Sequence, residues 1–215
     1  MLVDAVHWLG HAGFRVDAPG ATIYIDPYRV DGGPPADVIL VTHDHYDHFA
    51  PLTIERLTGN GTRLVAPASV AERLSGRVTQ LAPGERIEDE VAPGVEVAAV
   101  AAYNTSKRDP SGKAYHPRGA GGVGYVVRVG GERLYHSGDT DVIPEMDEVA
   151  GVDVALLLVS GVYVMTAAEA AEAARRIAPR IAVPMHWGDH LGTYEDARSF
   201  AERAPVEVRI MEAAA

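Results

Sequence analysis

Polar and apolar residues alternate with a period of two along 2-LVDAVHWL-9 and 13-GFRVD-17, and 22-TIYID-26 ends against Pro27. That period marks a strand with one face on a core, so the first third of the chain reads as short strands. A loop over 29–37 precedes a short apolar strand, 38-VILVT-42. Pro51 can open a helix over 51–58, which 59-GNG-61 should terminate. Strand 63–66, a helix over 67–75 and strand 77–81 are expected next, then two strands between 86 and 102. A hairpin is signalled by 123-VGYVVRV-129 and 133-RLYHS-137 around 130-GGE-132. Beyond it, 152-VDVALLLV-159 reads as a buried strand and 166-TAAEAAEAARRIA-178 as the clearest helix, with Thr166 and Glu169 at capping-box spacing. Strand 180–187, helix 194–203 and strand 206–211 complete the pattern. Two β-rich halves, each joined to helices, predict sheet packed on sheet with helices outside, an α/β sandwich.

The chain has 215 residues, no internal repeat and no separating linker, which predicts one domain over 1–215. A formal charge of −11 disfavours nucleic acid and anionic membranes as partners. The longest apolar run is interrupted by Asp153 and falls far below the ~20 residues of a membrane span. No cysteine is present, so disulfides and thiolate ligands are excluded. No basic and apolar leader opens the sequence, and a soluble cytoplasmic protein is expected. Self-association into a homo-oligomer is left open.

The chemistry concentrates in 42-THDHYDH-48, directly after an apolar strand. A helix would spread His43 and His45 to opposite sides; an irregular loop after strand 38–42 can converge them. Imidazole nitrogens with a carboxylate suit Zn²⁺, with Fe²⁺ or Mn²⁺ also compatible, whereas Ca²⁺ would take an all-oxygen set. One loop cannot enclose two ions. Further donors stand at strand ends in 133-RLYHSGDTD-141, where Gly138 allows a tight turn presenting Asp139, and in 181-IAVPMHWGDH-190, which brings His186.

Taken in order, WLGHAGF, IDPY, THDHYDH, HSGDTD and PMHW resemble the metallo-β-lactamase superfamily. More narrowly, they resemble its small metal-dependent hydrolases, akin to L-ascorbate-6-phosphate lactonase and N-acyl-phosphatidylethanolamine phospholipase D. The resemblance implies an αββα four-layer sandwich with two divalent metal ions at its edge, which share and activate a water as nucleophile. It implies that His43 and His45 bind the first ion, that Asp47 and His48 bind the second with His186, and that Asp139 bridges them. Asp139 then has a catalytic part, and Asp47 could also accept or pass a proton. Asp26 resembles the family's aspartate that fixes the His loop, though an Asp before Pro also suits a simple turn. His11 and His136 are expected near the metals without binding them, His190 at the rim, and His7, Trp8 and Trp187 in packing.

One departure stands out. The family supplies a third histidine to the first ion where this chain carries Tyr103 and Asn104. Asn104 could ligate through its carbonyl oxygen, His116 could reach in from the long loop, or the first site could be weak. A mobile loop position for His116 is the simpler expectation. The same loop carries Lys107, Arg108, Lys113, Tyr115 and Arg118 beside Tyr103, cations that would suit an anionic small-molecule substrate. Ordinary solvation of a surface loop explains them equally well. The function expected is metal-dependent hydrolysis of a small ester, lactone or phosphodiester. The competing readings are a nuclease and a non-catalytic metal-binding or sensing protein on the same scaffold.

Overall fold

The computed structural model describes residues 1–87, 90–188 and 191–214. Two six-stranded sheets face each other. The first orders β1 (Val6–Gly10), β2 (Gly13–Ala18), β3 (Ala21–Ile25), β4 (Ala36–Leu40), β5 (Thr58–Ala66) and β6 (Val78–Gln80) side by side. Its first three strands are antiparallel and the rest parallel. The second is formed by β7 (Val95–Ala101), β8 (Val123–Val129), β9 (Glu132–His136), β10 (Val154–Leu158), β11 (Ile181–Met185) and β12 (Glu207–Val208). It follows the same rule, three antiparallel strands and then parallel ones. The halves therefore repeat a topology that their sequences do not.

Period-two alternation decides the layers. Ile23, Ile25, Val38, Leu40 and Val65 point into the core between the sheets. Their neighbours Tyr24, Ile39, Val41, Leu64 and Ala66 point outward. There they pack against α1 (Pro51–Leu57) through Ile54 and Leu57, and against α2 (Ala68–Ala71) through Val70. On the second sheet, α3 (Ala167–Ile177) buries an alanine-rich face, and α4 (Tyr194–Arg203) inserts Phe200. Thr166 caps α3 as its spacing predicts, accepting from the Glu169 N–H at 3.2 Å. The result is the expected αββα sandwich.

Some boundaries differ from expectation. Leu2–Ala5 form a 3₁₀ turn instead of opening β1. The 59-GNG-61 triplet does not end α1 in a loop, because β5 begins at Thr58 and runs through it. Helix 67–75 shrinks to four residues, and of the two strands expected in 86–102 β7 is the one formed among the described residues, with Arg86 making an isolated bridge to Ala98.

Candidate metal centre

The His-rich loop leaves β4 through a fixed hinge. Asp26, fully buried just past β3, accepts from the Thr42 N–H at 2.8 Å, the Thr42 hydroxyl at 2.6 Å and His48 Nδ1 at 2.7 Å. Because the Thr42 hydroxyl donates to Asp26, its oxygen is left to accept from His43 Nδ1 at 3.0 Å. One carboxylate thus orients two imidazoles, His48 directly and His43 through Thr42. The chain then turns tightly, with the His45 carbonyl accepting from the N–H groups of His48 and Phe49.

Asp139 arrives from β9 through Gly138, whose φ is +58° and where a Cβ would strike the Val123 carbonyl. His136 braces that turn: Nδ1 accepts from the Gly138 N–H at 3.1 Å and Nε2 donates to the Ala12 carbonyl at 2.9 Å. At the end of β11, His186 adopts φ 64° and sets Nδ1 against Ser160 Oγ at 2.9 Å. Three of the five described non-glycine residues with positive φ, His11, Asp26 and His186, belong to this centre. Such backbone is held only where surroundings over-determine it.

Two groups of donor atoms result, each with its atoms within 4.8 Å of one another: His43, His45, His116 and Asp139, and His11, Asp47, His48 and His186. Asp139 lies between them. Its Oδ2 is 3.1 Å from His116 Nε2, 3.9 Å from His43 Nε2 and 3.8 Å from His186 Nε2, and its Oδ1 is 3.2 Å from His48 Nε2. Although so close, His43 Nε2, His48 Nε2, His186 Nε2 and Asp139 Oδ1 are buried and make no hydrogen bond. Each unsatisfied buried group costs about 1–3 kcal/mol. Three imidazole nitrogens and an oxygen of the carboxylate they face, all unpartnered, fit a cation between them.

The electrostatics agree with that fit. Burial holds the His43 imidazole well below its usual range and pushes His186 down to about 3, so both keep neutral lone pairs. Burial also opposes ionisation of Asp139, but the imidazoles facing it, His48 first, outweigh it and hold that carboxyl well below the carboxylate range. Asp47 behaves likewise, burial being outweighed by the hydrogen bond from His11 (3.0 Å) and by His48. His48 is the exception. Burial pulls it down, yet Asp139 and Asp26 raise it well above normal, because an imidazole between two carboxylates calls for positive charge at Nε2, from a proton or from a metal.

Several sequence expectations change. Asn104 does not point its oxygen at the donor groups; that atom accepts from His116, at the backbone N–H (2.7 Å) and at Nδ1 (3.0 Å). His116 is not a mobile loop residue but is 8% exposed and supplies the third imidazole of the first group. The loop cations find other partners or lie in solvent. Lys107 pairs with Glu169 at 2.7 Å, Arg118 with Glu145 at 2.8 Å and with the Tyr103 ring face, and Arg108 with the Gly112 carbonyl. Lys113 is exposed on a turn capped by Asp109. Tyr103 is buried, its hydroxyl donating to Glu145. None of these five residues is among the described residues lining the cleft in front of the donors, which are His45, Tyr46, Asp47, Tyr115, His116, Asp139, Tyr163, His186 and Leu191.

His11 comes closer than expected, within the second donor group. Trp8 and Trp187 stack at 4.6 Å, and Trp8 Nε1 donates to the His11 carbonyl, so the pair fixes this corner of the centre. His7 sits on β1 against Asp17. His190 lies outside the described residues. Asp141, which no sequence pattern signals, accepts from Asn104 Nδ2 at 3.2 Å and from the Thr105 N–H at 2.8 Å.

A family model described as the beta-lactamase superfamily domain matches residues 5–186. A UPF0173 metal-dependent hydrolase of Methanopyrus kandleri is 34% identical, over 96% of both chains. The chain belongs to this metallo-β-lactamase superfamily. Another UPF0173 metal-dependent hydrolase, from an Anaeromyxobacter species, is 36% identical over 96% of this chain and 84% of its own. Among solved structures, a protein designated a metal-dependent hydrolase from Parabacteroides distasonis superimposes with a TM-score of 0.85 at 31% identity, covering 97% of this chain and 93% of its own. Within the superfamily member described here, no helix among the described residues is long and apolar enough to cross a membrane.

Proposed function

We propose that this chain is a cytoplasmic metal-dependent hydrolase that holds two divalent ions, Zn²⁺ suiting its donors best, and cleaves a small ester, lactone or phosphodiester. The observation that carries this reading is the position of Asp139 between two donor groups whose facing atoms are buried without partners. His43, His45, His116 and Asp139 would hold one ion; Asp47, His48, His186 and Asp139 would hold the other. When bound, such ions supply Lewis acidity, which acidifies water and polarises a carbonyl or phosphoryl oxygen. The protein's own part is to keep the imidazoles of His43, His45 and His186 neutral through burial and to fix ring orientation through Asp26, Thr42, Asn104 and Ser160. Asp47, held ionised beside His11, offers an acceptor oxygen at the cleft for the proton released from water. The cleft, about 310 Å³, admits a small molecule.

Elemental mass spectrometry on protein purified without chelator tests the reading, paired with turnover of phenyl esters and bis-phosphodiesters. Two equivalents of metal, with turnover that chelation abolishes and metal restores, are expected. One equivalent would remove the dinuclear part of the proposal. No metal after reconstitution would favour a non-catalytic role instead.

A further inference from the structure

Beyond the donor residues, the cleft is walled by Tyr46, Tyr115, Tyr163 and Leu191. Tyr115 and Tyr163 meet edge to face with ring centroids 4.8 Å apart, and Tyr46 packs edge-on against Tyr28 at 6.0 Å. The Tyr163 carbonyl accepts from Asn104 Nδ2 at 3.0 Å, so the amide that seats His116 also anchors this aromatic wall. Tyr46 is nevertheless 65% exposed and Tyr163 37%, large rings left in water at the mouth of the cleft.

Charge makes the wall selective. Among the described residues lining the cleft, the carboxylates are Asp47 and Asp139, and none is Lys or Arg. Lys107 and Arg118, the loop cations with acidic partners, are engaged by Glu169 and Glu145. A carboxylate or phosphate on the part of a substrate remote from the reacting bond would lose water against tyrosine rings and meet no Lys or Arg among the described residues of the wall, which is costly. A flat uncharged group would instead gain ring contacts there.

We infer that the substrate is an uncharged ester or lactone carrying a flat, apolar or aromatic group, gripped by Tyr46, Tyr115, Tyr163 and Leu191. The inference rests on the hydrolytic reading for the reacting bond, but the subsite itself can be probed without turnover.

The test uses the zinc-reconstituted full chain with two matched pairs. Phenyl acetate and para-acetoxybenzoate differ by a carboxylate remote from the ester; acetophenone and para-acetylbenzoate are their non-hydrolysed counterparts, with binding followed by ligand-observed NMR. Phenyl acetate should be preferred by about tenfold in kcat/KM. Tyr115→Ala and Tyr163→Ala should raise its KM about five- to tenfold and weaken acetophenone to a similar degree while metal content holds. Tyr115→Phe and Tyr163→Phe, which keep the rings, should preserve both, and they separate loss of grip from loss of folding. Equal or faster turnover of para-acetoxybenzoate would overturn the subsite and leave the hydrolase reading standing. Acetophenone binding that depends on the two rings, with no ester turned over, would support the subsite and sink the hydrolase reading. Acetophenone binding that is absent, or unchanged by both alanine variants, would overturn the subsite.

Discussion

Asn104 Oδ1 accepts both the backbone N–H and the ring Nδ1–H of His116, so a single amide oxygen sets the position and the tautomer of that imidazole. The amide is itself held from behind. Its Nδ2 donates to Asp141 Oδ1 at 3.2 Å, and Asp141 Oδ2 accepts from the N–H groups of Thr105, Ser106 and Lys107. Asp141 therefore organises the start of the loop that delivers His116. Asn104→Ala and Asp141→Asn should each lower metal content from two equivalents toward one. Removing an outer hydrogen-bond partner of a ligand costs about 10–100-fold in metal affinity or activity. Unchanged metal content in both variants would show that His116 does not depend on this chain of bonds.

Asp139 should be far less forgiving, since it faces both donor groups. Asp139→Ala should abolish retention of both ions together with activity, whereas His116→Ala should affect one ion. Elemental analysis distinguishes them, and full metal in Asp139→Ala would refute the shared-carboxylate reading.

How much of this was legible in the sequence follows from how local each feature is. The capping box of α3 and the alternation of β4 are local, and both survive folding. The THDHYDH loop, Asp139 and His186 stand beyond strand ends, which mark them as candidate donors, and the family resemblance implied their convergence. His116 could not be placed, because its position depends on Asn104 and Asp141, 12 and 25 residues away, inside a loop whose composition suggests mobility. The loop cations misled for the converse reason. Composition reveals charge but not that Glu169 on α3 and Glu145 would claim Lys107 and Arg118. The repeated topology of the two sheets was equally hidden, since strand order is a long-range property.

Acid should destabilise the metal-free chain in a defined window. His186 is pushed from 6.5 down to about 3 by burial, and burial lowers His43 and His136 as well. Below the unfolded value of 6.5 the unfolded chain takes up protons that these folded imidazoles refuse, so stability falls as pH drops toward 4. His48 shifts the other way, but its contribution is already complete below 6.5 and is lost only as pH rises through its elevated folded value. The lowered carboxyls Asp47 and Asp139 act only near and below their ordinary 3.8. Urea unfolding of chelated protein between pH 6.5 and 4 should therefore show falling stability, with His186 alone contributing up to about 1.4 kcal/mol per pH unit. His186→Gln should flatten the slope by about one proton; an unchanged slope would mean that His186 is not buried neutral.

Lys107 and Arg118 should prove to be struts, not substrate contacts. Lys107 reaches both Glu169 oxygens at 2.7 Å, tying the loop to the N-terminus of α3 beside the Thr166 cap. Arg118 lies over the Tyr103 ring at 5.0 Å while holding Glu145, which also accepts from the Tyr103 hydroxyl. Both pairs are partly exposed, so each should be worth only about 0.5–1 kcal/mol, or roughly 1–4 °C in Tm. Lys107→Ala and Arg118→Ala should show shifts of that size, shrinking at high salt. Neither should change the KM ratio between para-acetoxybenzoate and phenyl acetate by more than about twofold, because neither side chain lines the cleft. A selective rise in KM for the charged ester, with Tm unmoved, would return these cations to the substrate and remove the main argument for an uncharged one.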